Sequence, residues 1–212
     1  MVFSPGEPAT GNRTEMCRYI ALEGIDGAGK TSIQAALRER LESVGIEVVA
    51  VREPGGTLLG ESLRRVLLDG PPVSPWAEAL MFAADRAQLM ADVVRPALER
   101  GACVVSDRSV YSSLAYQGAG RALGIDRVRR INEPGLAGRW PDLVILLAVS
   151  TRTGLARQRQ ADRIGSSGHA LLSTVAEAFD TLARQNPDRF VVVDAERPRS
   201  LVVEDVWEAV GL

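Results

Sequence analysis

The sequence predicts an α/β fold: a five-stranded parallel sheet with helices on both faces. Three observations carry this. Five short apolar runs punctuate the chain, helical periodicity fills the stretches between them, and polar motifs follow the first three runs. Apolar strands alternating with helices build a parallel sheet covered on both sides. Ligands in such sheets bind outside the carboxyl ends of the strands, so those motifs mark the candidate site.

The first strand is read at residues 18–23 (RYIALE), running into Gly24-Ile25-Asp26-Gly27-Ala28-Gly29-Lys30-Thr31. A helix follows, with Ile33, Leu37, Leu41 and Val44 on one face. The second strand is residues 46–51 (IEVVAV). Arg52 to Thr57 (REPGGT) is irregular, because Pro54 and two glycines punctuate it. The next helix aligns Leu59, Leu63, Val66 and Leu67. A long helix starts near Pro75, with Trp76, Leu80, Ala83, Ala87, Met90 and Val94 as its core stripe, and Pro96 is expected to kink its last turns. Residues 102–106 (ACVVS), 143–149 (LVILLAV) and 190–193 (FVVV) are the third, fourth and fifth strands.

Composition narrows the function. The formal net charge is −2 and aromatics are 5%, so neither a basic footprint nor a stacking platform for nucleic acid is present. Neither Cys17 nor Cys103 lies in a metal or disulfide pattern, and Cys103 reads as core. No run approaches a membrane span. Residues 1–17 have no apolar signal-like region and are read as a disordered extension, with Met16 a candidate start. A cytoplasmic location follows as an expectation. Residues 18–212 are expected to form a single domain.

Gly24 to Thr31 fits G-x-x-x-x-G-K-[ST] between a strand and a helix, a P-loop. Its backbone N–H groups can wrap the phosphates of ATP, with the positive end of the helix dipole behind them. Lys30 can reach the β- and γ-phosphates, and Thr31 can ligate Mg²⁺. The loop alone does not separate a kinase from an ATPase. Asp107 ends an apolar strand, where a carboxylate organises magnesium, often through water; capping the following helix is an equal reading. Arg52 and Arg108 lie at the same edge of the sheet, which points to a second anionic group besides ATP. The alternative for each is a surface arginine paired to an acid.

Phe82 and Arg86 share a helical face outside the core stripe. Ser113, Tyr116 and Gln117 share another, after Arg108. An aromatic, an arginine, a hydroxyl and an amide suit a base and sugar pocket, although Phe82 alone reads as a core contact. Arg152, Arg157, Arg159 and Arg163 form a basic cluster on a lid around residues 152–168. It would close over ATP and supply charge to the transition state, or else be a solvated helix face. His169 reads as a helix-start residue.

From Tyr19 onward the chain resembles the thymidylate kinase family. The resemblance rests on EGIDGAGKT (23–31), REPGGT (52–57), FAADRAQ (82–88), DRSVYSSLAYQG (107–118), Pro141-Asp142-Leu143 and Asp162-Arg163-Ile164. It implies a P-loop kinase core, usually a homodimer, that transfers the γ-phosphoryl group of ATP to dTMP with Mg²⁺. By the same resemblance, Asp26 would approach the sugar 3′-hydroxyl, and Arg52 and Arg108 would bind the acceptor phosphate. Phe82 would stack on thymine and Arg86 would bond a base carbonyl. Ser113 and Gln117 would line the base pocket, and Tyr116 would crowd the 2′-position. Three positions depart from the family pattern: Ser109 for an aromatic, Ala148 for an acid, and a shorter lid with Gly165 for an acid. The rival readings are a kinase for another nucleotide or nucleoside, and a P-loop switch module.

Overall fold

The computed structural model describes residues 18–157 and 168–211. The lid residues Arg159, Arg163 and Gly165, and the N-terminal 1–17, lie outside the described residues.

Five parallel strands form one sheet: β1 (Tyr19–Glu23), β2 (Val48–Arg52), β3 (Cys103–Asp107), β4 (Leu143–Ala148) and β5 (Phe190–Asp194). Their order is β2-β3-β1-β4-β5, so the chain reverses its winding direction about the central β1. The register pairs Leu22 with Asp107 and Arg52 with Asp107, which brings three strand ends to one level.

Alternate strand residues bury on opposite faces. Ile20, Leu22, Val105 and Ile145 face α1 (Lys30–Ser43) and α9 (Arg199–Val210). Tyr19, Ala21, Val104 and Val144 join the larger core on the other face. That face carries α3 (Pro75–Leu89), α4 (Arg95–Glu99), α5 (Val110–Ser113), α6 (Ile125–Leu136) and α8 (His169–Gln185). Two further helices, α2 (Leu58–Asp69) and α7 (Thr151–Arg157), follow β2 and β4 in the chain and pack against α3 and α8. His169 does start a helix, and Cys103 is buried.

Three expectations are corrected. The stripe on α3 is wrong in its first half: Trp76 is 39% and Leu80 52% exposed. The buried face of α3 carries Glu78, Ala79, Asp85, Arg86 and Leu89. Apolar periodicity cannot find a buried face whose polar groups are met by partners from other elements. On α2 only Leu67 of the expected four is fully buried, and Leu59 and Val66 are exposed. Finally, the long helix changes geometry before Pro96. Met90–Val94 is a π-helical turn, in which the Arg95 N–H reaches back to the Met90 carbonyl. Pro96 has no N–H and its ring crowds the carbonyl four residues back, so the preceding turn widens.

Candidate active site

The P-loop connects β1 to α1. Gly27 has φ 83°, and a Cβ there would lie 2.1 Å from the Gly154 carbonyl oxygen of α7. Glycine is therefore required twice over, for the backbone angle and for the close approach. Gly29 caps α1 in the left-handed conformation with no side-chain bond to the first turn. Those helix-start N–H groups, with the dipole behind them, suit an anion.

Lys30 is buried, and its Nζ donates to the carbonyls of Gly24 (3.1 Å) and Ile25 (3.0 Å). Burial, and then Arg108 nearby, push its ammonium down to about 8. Thr31 Oγ1 donates to Asp107 Oδ2 at 2.6 Å. Thr31 and Asp107 thus stand together as a hydroxyl and a carboxylate, hard oxygen donors that fit Mg²⁺. No cluster of three or more His, Cys, Asp or Glu occurs among the described residues.

Arg108 follows directly. Its guanidinium pairs with Asp26 and donates to Ser112 Oγ (3.0 Å) and the Gly24 carbonyl (3.3 Å). It also lies 5.1 Å from the centre of the Tyr116 ring. Burial raises the Asp26 carboxyl, but Arg108 and Lys30 reverse that and leave it below the usual range. Tyr116 Oη donates to the other Asp26 oxygen at 3.1 Å. Arg52 Nη2 contacts both oxygens of Glu61 at 3.1 Å, with both side chains about half exposed. The surface-pair reading of Arg52 therefore holds in this state. An exposed pair is worth only ~0–1 kcal/mol, so Arg52 can exchange Glu61 for a phosphate at little cost.

Arg86 is 1% exposed, on the buried face of α3. Its Nε donates to Glu53 Oε2 (2.8 Å). Its Nη2 contacts Ser113 Oγ (3.1 Å) and the Ser109 carbonyl (3.2 Å), and its Nη1 bonds Asn132. Arg86 is thus a strut joining three elements as well as part of the cavity wall. Gln117 Nε2 donates to Glu78 Oε1 at 3.0 Å, and Arg121 pairs with the same carboxylate. Because a carboxylate only accepts, it is the Gln117 amide nitrogen, not its oxygen, that turns to Glu78.

One cavity of about 860 Å³ is lined by Asp26, Gly27, Gly29, Lys30, Thr31, Arg52, Phe82, Arg86, Asp107, Arg108, Ser113, Tyr116, Gln117 and Arg157. It brings together most of the expected site residues. Gly24, Ile25 and Ala28 belong to the loop but not to this wall. Arg157 also donates to the Ala195 carbonyl at 2.9 Å.

Several contributors were not foreseen. Gln34, Arg64, Leu68 and Ser112 also line the cavity. Gln34 ties α1 to the carbonyls of Val51 (2.6 Å) and Val105 (2.8 Å), and Arg64 donates to the Pro54 carbonyl (2.9 Å). Glu53 is a buried acid that also lines the cavity, and Glu23 and Asp85 are buried acids behind the wall. The one signal for Glu23 is an acid closing an otherwise apolar strand.

The fold and the cavity define a P-loop phosphotransferase with room for a second, phosphate-bearing ligand beside ATP. The sequence profile of the thymidylate kinases matches residues 22–206, and the chain belongs to the thymidylate kinase family. It is 42% identical over 192 residues to the thymidylate kinase of Synechococcus sp. (strain JA-3-3Ab), covering 91% of this chain and 94% of that one. It is 45% identical over 194 residues to the thymidylate kinase of Clavibacter sepedonicus, covering 89% and 92%. The crystal structure of thymidylate kinase from Ehrlichia chaffeensis superposes with a TM-score of 0.76 at 28% identity, covering 91% of this chain and 97% of that one. The family's reaction is ATP-dependent phosphorylation of dTMP to dTDP, and the chain is an enzyme of this kind.

Proposed function

We propose that the cavity holds the two nucleotides end to end, phosphates meeting between the P-loop and Arg108. The observation that carries this is one wall bearing Lys30, Thr31, Arg52 and Arg108 together with Phe82, Arg86, Tyr116 and Gln117. An oxygen of the dTMP phosphate forms the new bond to the γ-phosphorus of ATP. The bond from that phosphorus to the β–γ bridging oxygen breaks, leaving ADP and dTDP. No protein nucleophile is needed, since a phosphate monoester with a second pKa of ~6 is mostly a dianion at neutral pH. The protein holds two polyanions in line and neutralises their repulsion.

Lys30 contacts the donor phosphates, and Arg52 and Arg108 hold the acceptor phosphate. Asp26, placed by Arg108 and Tyr116, meets the sugar. Phe82 supplies a flat face to thymine, with Arg86, Ser113 and Gln117 as its polar partners. Thr31 and Asp107 would hold Mg²⁺, which supplies positive charge to phosphate oxygens when bound. ATP consumption measured across all nucleoside monophosphates and their deoxy forms tests the reading. A dominant response to dTMP is expected, and a stronger response to another acceptor would reassign the pocket.

A homodimer belongs to the same proposal. Leu59 and Val66 on α2, and Trp76 and Leu80 on α3, are exposed apolar side chains on neighbouring helices. A sedimentation measurement of wild type against Leu80→Glu tests it; equal masses would remove this face from consideration. No helix among the described residues is long and apolar enough to cross a membrane. A cytoplasmic site of action is part of the proposal, since ATP and dTMP are solutes of that compartment.

A further inference from the structure

Arg108 is a non-glycine residue in the left-handed region, with φ 76°. Such a backbone is costly for an L-residue and persists only where neighbours over-determine it. Its own N–H donates to the Leu22 carbonyl at 3.0 Å, and its carbonyl accepts from Ser106 Oγ at 2.5 Å. The next turn is tied to a single side chain. Glu23 Oε1 accepts from Ser109 N–H (2.8 Å), Ser109 Oγ (2.7 Å) and Ser112 N–H (3.1 Å). Glu23 Oε2 accepts from Ser112 Oγ at 2.6 Å. Glu23 and Ser109 are both 0% exposed.

Four donors from one turn therefore converge on one buried carboxylate at the end of β1. The arrangement also sets the arginine side chain. A carboxylate only accepts, so the Ser112 hydroxyl hydrogen is committed to Glu23. The lone pairs of Ser112 Oγ are then turned to Arg108 Nη1, 3.0 Å away. Glu23 does not line the cavity, so its influence on a ligand passes through the turn.

We propose that Glu23 is a positioning residue for phosphoryl transfer. Through Ser109 and Ser112 its carboxylate holds the left-handed turn that aims Arg108 at the acceptor phosphate. This rests on the reading of Arg108 as an acceptor-phosphate ligand. A purely structural Glu23 would stabilise the protein without favouring one substrate over the other.

The test is a double-mutant cycle with steady-state kinetics for dTMP and ATP. Ser109→Ala and Glu23→Met are made in wild type and in Arg108→Ala, with Glu23→Gln as the conservative variant. In wild type, Glu23→Met is expected to lower kcat/KM for dTMP about tenfold or more, and Ser109→Ala about threefold. KM for ATP stays within about twofold. Glu23→Gln keeps an oxygen for both backbone N–H groups and recovers most of the loss. In the Arg108→Ala background neither substitution lowers activity further, because the group they position is gone. Equal losses in both backgrounds, or an ATP KM that rises as much as that for dTMP, would overturn the proposal. So would a Glu23→Gln protein as impaired as Glu23→Met. If Glu23→Met does not fold, the Ser109→Ala cycle decides alone. An Arg108→Ala protein with unchanged use of dTMP would sink the acceptor-phosphate reading itself; an impaired Arg108→Ala with additive losses sinks only the role of Glu23.

Discussion

Thr31 and Asp107 share a hydrogen bond of 2.6 Å that links the first turn of α1 to the end of β3. A hydroxyl and a carboxylate from elements 76 positions apart are thereby held as a pair at the mouth of the P-loop. Asp107→Asn is expected to raise the Mg²⁺ concentration for half-maximal activity about tenfold or more, in line with losses on changing groups around a metal. A magnesium titration at saturating ATP checks this. An unchanged midpoint would leave Asp107 as a tie between strand and helix only.

Lys30 connects burial to pH. Its ammonium is pushed down to about 8, first by burial and then by Arg108. Phosphates beside it favour the charged form, so ATP binding at pH 8 and above takes up a proton. ATP affinity should be level below about pH 7 and fall as pH rises through 8. Calorimetry in buffers of different ionisation enthalpy reads the proton directly. Lys30→Ala should lose the proton uptake together with phosphoryl transfer. Uptake that persists in that variant would assign the titration to another group.

Arg108→Ala and Arg52→Ala are expected to differ. Under the proposed role each removes a charge-assisted bond to the acceptor worth about 1.5–3 kcal/mol, a ten- to hundred-fold loss in dTMP affinity. Only Arg108→Ala also removes the ion-pair partner of Asp26, leaving it the Tyr116 hydroxyl alone. Its loss should therefore be the larger, and a direct titration with ATP should change little for either. A matching fall in ATP affinity would move these arginines to the donor side.

Tyr116 is part of the cavity wall and carries both a ring and a hydroxyl. Its hydroxyl serves Asp26 and its ring lies beside Arg108. If the ring excludes a 2′-hydroxyl, dTMP is preferred over the ribonucleotide by about five- to a hundred-fold in kcat/KM. Tyr116→Phe should keep that preference, and Tyr116→Ala should narrow it by improving the ribonucleotide. A full preference in Tyr116→Ala would place the gate elsewhere.

Asp85 accepts from the Gly55 N–H at 2.9 Å, which holds the loop that follows Arg52 and carries Glu53. Its other oxygen is buried without a partner among the described residues. Burial raises this carboxyl to about 6. Between pH 4 and 6 the folded form keeps a proton that the unfolded chain has released, so Asp85 costs stability as pH rises, fully above 6. Asp85→Asn keeps the acceptor for Gly55 and removes that cost. Its stability relative to wild type should improve between pH 4.5 and 7.5, by about 2 kcal/mol or less. Denaturant unfolding at the two pH values checks the sign; a difference that does not move with pH would overturn it.

The local patterns of this chain determined most of the fold. Five apolar runs separated by helical stretches leave few arrangements other than a covered parallel sheet. Gly24 to Thr31 is legible because its chemistry is a contiguous run: glycine conformations, a lysine and a hydroxyl in fixed order. That Phe82, Arg86, Ser113, Tyr116 and Gln117 share a cavity was also legible, through helical spacing and the family resemblance, and Arg108 through its place after an apolar strand. Only the tertiary structure decided which face of α3 is the core. Glu78, Asp85 and Arg86 are buried because Gln117, Arg121, Gly55, Glu53 and Asn132 arrive from distant elements to meet their charges. An apolar stripe reports the cost of exposing carbon to water, and Trp76 and Leu80 meet that cost at the surface instead. Glu23 is the same case at the active site. Its partners Ser109 and Ser112 stand 86 and 89 positions away, and only the pairing of β1 with β3 brings them within reach. Periodicity senses neighbours along one element; the electrostatic pairing of buried groups is settled between elements, where sequence distance carries no signal.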